Sequence, residues 1–347
     1  MVARHRTPLT LTPSRRSVLA LGGFGLVSGI APVLSSGAQA QQADDLVRSE
    51  YTATKQGPDG PVKLALYRKT SRNAQEARDR PVLFLVHGSS ISALPSYDLS
   101  VPGRGEYSLM NVFARMGFDV WTMDHENYGR SSRTASNSDI ASGAEDLRAA
   151  VEIVSRETGQ SRFSFLGQSS GALRAGLFAM QNPDRVNRLV LEAFTYTGVG
   201  SPTLKQRAEK LDFYRSHNRR PRDRDMIRSI FTRDKPGTSD LAVPEALADA
   251  EMVYGDTIPT GTYLDMTANL PIVDPARVTC PVLVIRGEHD GIATEEDLLN
   301  FFKALPNPDR QFSVIPGAAH ALTLSLTRDR YWHVAGGFLT MPTSAQG

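Results

Sequence analysis

Ser169 lies in the segment Gly167-Gln168-Ser169-Ser170-Gly171, between an apolar run and an Ala/Leu-rich stretch. A serine hydroxyl becomes an effective nucleophile when a base takes its proton and a third group orients that base. Two later segments carry such groups, Gly287-Glu288-His289-Asp290-Gly291 and Pro316-Gly317-Ala318-Ala319-His320, and each follows an apolar run. The candidate catalytic set is therefore Ser169 as nucleophile, His320 as base and Asp290 as acid. Glu192, after the run Leu189 to Leu191, is the rival acid. A nucleophile on a sharp turn needs small neighbours so that the backbone can pass closely, which gives the two flanking glycines their purpose. The pattern alone is weak, and its weight comes from a strand before it and a helix after it.

Other reactive side chains have plainer readings. His87 is expected to order a loop, and His289 merely adjoins the candidate acid. His125 and Glu126 either line a pocket or sit in a solvated loop, while His217 and His333 are surface or packing residues. Cys280 is the single cysteine, so no intramolecular disulfide can form; placed just before an apolar run, it reads as a small buried hydrophobe. His, Asp and Glu show no metal-ligand spacing, and there is no phosphate-cradling or dinucleotide motif. The chemistry is thus expected to need neither metal nor cofactor.

The elements that must position these groups follow from the apolar pattern. Leu46 to Ala53 and Val62 to Tyr67 flank the turn signal Gly57-Pro58-Asp59-Gly60 and predict an antiparallel hairpin. Continuous apolar runs at Pro81–Val86 and Phe118–Met123 predict strands buried on both faces, and Arg162–Leu166, Leu189–Leu191, Pro281–Arg286 and Gln311–Ile315 predict further strands. Between them, helical stripes run from Ser108 to Met116, through Leu147, Ala150, Val151 and Val154, from Ala172 to Met180, and from Glu295 to Leu305. A capping box at Ser142 and Glu145 is expected to start the second of these helices, and Gly159 to stop it. Such alternation predicts an α/β fold, a mostly parallel sheet with helices on both faces. The rhythm breaks over 195–278, so residues 41–194 and 279–347 are expected to form one core interrupted by a helical insertion.

The chain of 347 residues is 40% hydrophobic and 22% charged, which gives ample material for a packed core. Residues 1–40 carry Arg4, Arg6, Arg15 and Arg16 without an acidic residue, then an apolar run, then Ala38-Gln39-Ala40, the pattern of a cleavable export signal. Leaving out these four arginines turns the formal charge from +2 to −2, so no general affinity for nucleic acid is implied. The segment Ser14-Arg15-Arg16-Ser17-Val18-Leu19 resembles a bacterial twin-arginine signal, which implies a protein exported to the periplasm or beyond by dedicated export machinery.

The order Ser169, Asp290, His320, each after a strand, resembles that of serine esterases of the α/β-hydrolase superfamily, over Tyr51 to Leu339 apart from the insertion. Asp124-His125-Glu126-Asn127-Tyr128-Gly129-Arg130-Ser131 resembles that family's D-x-x-G-x-G-x-S turn, with Asn127 in place of the first glycine. The resemblance implies an oxyanion hole formed by the backbone N–H groups of Ser89 and Ser170, and a cap or lid at 195–278. It implies hydrolysis of a small carboxylic ester through an acyl-enzyme. An amide, a thioester or a carbon–carbon bond could be cleaved by the same triad, which could also serve a cofactor-free perhydrolase; a non-catalytic binding protein on the same scaffold is a further alternative. From Lys205 to Asp240 the insertion holds eleven basic and six acidic residues, either a solvated face or a positive rim for an anionic substrate or product. Aromatic and sulfur side chains of this region are assigned to packing within it.

Overall fold

The computed structural model describes residues 45–72 and 80–342; the export signal read over 1–40 lies outside the described residues. Strands β1 (Leu46–Gly57) and β2 (Gly60–Ser71) form the expected hairpin, paired from Leu46↔Ser71 to Gly57↔Gly60. They run further than the apolar pattern suggested because β1 is an edge strand whose outward residues are polar. Strand β3 (Val82–Val86) is buried throughout. Val82, Phe84 and Val86 join one apolar cluster while Leu83 and Leu85 join another, the two-residue period of a strand covered on both faces.

Helices α1 (Ala93–Tyr97) and α2 (Leu109–Arg115) lead to β4 (Asp119–Met123), and α3 (Ile140–Thr158) leads to β5 (Phe163–Gln168). The start of α3 differs from the expected capping box. Asp139 is the N-cap and its carboxylate accepts from Ser142 N at 2.7 Å, so Ser142 already lies inside the helix. Gly159 ends the helix at φ 73°, as expected. After β5 come α4 (Ser170–Gln181) and β6 (Val186–Glu192).

Five helices, α5 (Pro202–Ala208), α6 (Leu211–Ser216), α7 (Arg224–Ser229), α8 (Ala242–Met252) and α9 (Gly261–Ala268), fill the stretch before the sheet resumes. Two short strands, β7 (Arg219–Pro221) and β8 (Thr257–Pro259), pair there as a separate antiparallel ribbon. The chain then returns through β9 (Val282–Gly287), α10 (Glu295–Ala304), β10 (Arg310–Ile315) and α11 (Arg328–Leu339).

The main sheet has eight strands in the order β1-β2-β4-β3-β5-β6-β9-β10, parallel from β4 onward. Helices α3, α4 and α10 cover one face, and α2 and α11 the other. Ile227, Phe231, Val243 and Leu247, from the stretch between β6 and β9, pack against Ile91, Leu99 and Leu324 near the carboxyl ends of the strands. Among the described residues no helix is long and apolar enough to cross a membrane. Cys280 is buried, and burial pushes its thiol up to about 12, in keeping with a packing role.

Candidate active site

Ser169 stands between β5 and α4 with φ 57° and ψ −122°, a conformation that L-residues rarely adopt. The two glycines beside it are required by space. A Cβ on Gly171 would come within 2.0 Å of the Val86 carbonyl oxygen, and one on Gly167 within 2.4 Å of the Gly171 carbonyl oxygen. The strand end and the first helical turn are thus pressed together, and Ser169 N is tied to Glu192 O at 2.8 Å. The Ser169 side chain lines a cleft shared with Gly88, Ser89 and His320, which holds about 570 Å³ of empty space counting its open mouth.

His320 follows β10, and its Nδ1 pairs with Asp290 Oδ1 at 2.9 Å. With Nδ1 donating to the carboxylate, Nε2 is the ring nitrogen left free to act as a base. Burial alone would raise Asp290. His320, the Ile292 N–H at 3.0 Å and nearby Arg233 together hold its carboxyl below the usual range. Glu192 is engaged elsewhere: Oε1 accepts from Gln168 Nε2 at 3.1 Å and Oε2 from Tyr331 OH at 2.7 Å. Burial pushes Glu192 up to about 8, and it braces the residue preceding Ser169.

Ser89 and Ser170 are brought together across the cleft, Ser89 Oγ donating to Ser170 Oγ at 2.8 Å. As the first residue of α4, Ser170 has an N–H without an intrahelical carbonyl. Among the described residues, nothing accepts from the Ser89 N–H. His87 holds this loop. Its Nε2 accepts from His125 N at 3.1 Å, so its Nδ1 donates to Gly88 O at 2.8 Å, and burial keeps the ring neutral. Tyr128 OH donates to Ser89 O at 2.8 Å from the turn in which Asn127 takes the left-handed φ of 70°.

The stretch between β6 and β9 also grips this loop. Glu251 accepts from Ser92 N and Ser92 Oγ, both at 2.8 Å, and pairs with buried Arg222, which donates to Ser90 O at 3.3 Å. Ser90 Oγ meets Tyr263 OH at 2.6 Å.

His125 and Glu126 are neither pocket-lining nor solvated. His125 Nδ1 meets Asp146 Oδ2 at 3.0 Å, and Lys55 Nζ meets Asp146 at 2.7 Å and Glu126 at 2.8 Å, a buried network that charge pairing makes tolerable beneath the turn. His289 is partly exposed beside Glu288, while His217 stacks on Phe213 and His333 is exposed.

Sequence reasoning missed Asp234. Its carboxylate, that of Asp290 and the His320 ring offer atoms within 4.8 Å of one another. They form the one grouping of metal-ligand type among the described residues, and an ion there would compete for the atoms that join His320 to Asp290. Asp234 lies far from both in sequence, so no spacing signals it. Arg233 Nε reaches Asp234 at 3.5 Å, and Arg233 and Arg207 both line the cleft. The excess of basic residues between Lys205 and Asp240 was the only sign of them.

A parallel sheet with a strained serine at one strand end and a His–Asp pair at two others defines the α/β-hydrolase class. Over residues 101–326 the chain matches, and belongs to, the Hydrolase_4 family, described as serine aminopeptidase, S33. Among solved structures it is similar to 2-hydroxy-6-oxo-6-phenylhexa-2,4-dienoate hydrolase from Rhodococcus sp. strain RHA1, at 19% identity and TM-score 0.61 over 84% of this chain and 100% of that one. It is also similar to a bromoperoxidase from Bacillus anthracis, at 17% identity and TM-score 0.62 over 84% and 100%. A thermophilic esterase from Thermogutta terrifontis matches at 19% identity and TM-score 0.58 over 84% and 98%. No curated protein sequence matches.

Proposed function

We propose that the protein is a serine hydrolase that cleaves small carboxylic esters through an acyl-enzyme. The observation that carries the reading is the single cleft shared by Ser169, held at φ 57°, and a His320 whose other ring nitrogen pairs with Asp290. Ser169 Oγ attacks the ester carbonyl while His320 Nε2 takes its proton, and Asp290 steadies the imidazolium. The oxyanion is met by the Ser89 and Ser170 N–H groups. The carbon–oxygen bond breaks as His320 returns the proton to the departing alcohol. A water, deprotonated by His320, then attacks the acyl carbon, and collapse restores the serine hydroxyl and releases the acid.

An aminopeptidase substrate carries an ammonium group. Arg207 and Arg233 in the cleft disfavour such a cation, which supports an ester over a peptide with a free amino terminus. In this reading residues 195–278 act as the cap that shapes the substrate, and residues 1–40 direct export by the twin-arginine route.

The test uses a panel of 4-nitrophenyl esters of increasing acyl length, with labelling by a fluorophosphonate. The expected result is turnover and labelling by the wild type and loss of both in Ser169→Ala. Equal turnover by the two proteins refutes the assignment.

A further inference from the structure

Several arginines in this protein are matched by carboxylates. Arg222 pairs with Glu251, Arg188 with Asp309 at 2.9 Å and Arg68 with Asp119 at 2.6 Å. Arg174 and Arg286 donate to backbone carbonyls and do not line the catalytic cleft, though Arg174 leaves two nitrogens unpartnered. Arg207 and Arg233, both half-buried, do line it. Arg207 approaches only Met266 Sδ, at 3.7 Å, and the face of Tyr263, at 5.0 Å from the ring centre; no described carboxylate lies within ion-pair distance of it. Arg233 has Asp234 at 3.5 Å on Nε, yet its second terminal nitrogen is buried without a hydrogen-bond partner.

Like charges have been gathered here. Burial, and then Arg233, push the Arg207 guanidinium down to about 10. A second hollow shares Ser90, Arg207, Ile230 and Arg233 with the cleft and adds Arg220, which lies 4.9 Å from the ring centre of Tyr263, with Lys210 and Glu209 at its margin. The rest of the cleft is largely apolar, with Ile91, Phe231, Leu247 and Leu324 on its walls. An apolar slot with a nucleophile and a pair of undercompensated guanidinium groups is complementary to a short chain bearing an anion, and a carboxylate is the planar partner that a guanidinium fork fits.

We propose that Arg207 and Arg233 form a carboxylate-binding subsite, so that the preferred substrate is an ester whose acyl chain carries a second, ionised carboxyl group, a half-ester of a dicarboxylic acid. This rests on the reading of Ser169 as nucleophile and names the substrate class of that site. Bound there, the carboxylate offsets the positive charge that Arg207 and Arg233 bring to the cleft.

The test compares kcat/KM for mono(4-nitrophenyl) adipate with that for the uncharged 4-nitrophenyl hexanoate, each corrected for spontaneous hydrolysis. The wild type is expected to favour the adipate by about ten- to a hundredfold, the range of a charge-assisted hydrogen bond. In Arg207→Gln and in Arg233→Gln that ratio is expected to fall to about one, through KM, in proteins whose thermal melts show a folded state. A wild-type ratio of one or less, or a ratio unmoved by both substitutions, overturns the proposal. Titration of Ser169→Ala with monomethyl adipate separates the two readings. If the wild type turns over neither ester, hydrolysis fails as the activity, yet arginine-dependent binding of monomethyl adipate still supports the subsite and its absence overturns it.

Discussion

Replacing Glu192 with Gln tests the buried carboxyl behind the nucleophile. Glu192 has no exposed surface, and its proton is held up to about 8 against the ordinary 4.5. Between those values the folded protein keeps a proton that the unfolded chain has released. Stability supplied by the neutral acid is therefore complete below about pH 4.5 and is lost as pH rises toward about 8, at roughly 1.4 kcal/mol per pH unit and about 5 kcal/mol in all. Glutamine stands in for the protonated form as a neutral side chain of the same shape. Urea unfolding of both proteins, followed by tryptophan fluorescence between about pH 5.5 and 9.5, should show the Glu192→Gln protein gaining on the wild type at that slope until about pH 8 and then running parallel. Parallel curves across the whole range refute the argument, since they mean that Glu192 titrates alike in both states. The variant should also keep its ester turnover within about tenfold, because the His320 ring pairs with Asp290.

Two further outcomes are expected. Asp290→Asn should lower kcat by on the order of 10³ to 10⁴ through loss of the working imidazole tautomer; steady-state kinetics check it, and a mild effect beside a crippled Glu192→Gln enzyme moves the acid role to Glu192. Replacing Arg15 and Arg16 together with Lys should hold the precursor in the bacterial cytoplasm, as seen by fractionation and immunoblotting, whereas normal export removes the twin-arginine reading.

Much of the sheet was legible because strands covered on both faces are largely apolar, as in Val82–Val86 and residues 282–285. Ser169, His320 and Asp290 stood out because each ends such a run, where side chains gather at one edge. Other features depend on contacts that no local pattern carries. Asp139 starts α3 in place of Ser142 because its carboxylate reaches the Ser142 N–H. His125 and Glu126 are buried because Lys55, from the first hairpin, lies against them and Asp146. Asp234 and Arg233 arrive beside the His–Asp pair from a helical stretch whose sequence shows only an excess of positive charge.

Under the proposed function, the grip of Glu251, Arg222 and Tyr263 on Ser90 and Ser92 joins substrate selection to transition-state stabilisation. The segment proposed to shape the acyl chain also holds the loop proposed to receive the developing negative charge. A chimera that imports this segment from another family member must bring matching partners for both serines, or it exchanges specificity and loses rate in the same step. On that proposal preference and turnover are inherited together, and a substitution made on α8 to widen the first is expected to be felt in the second.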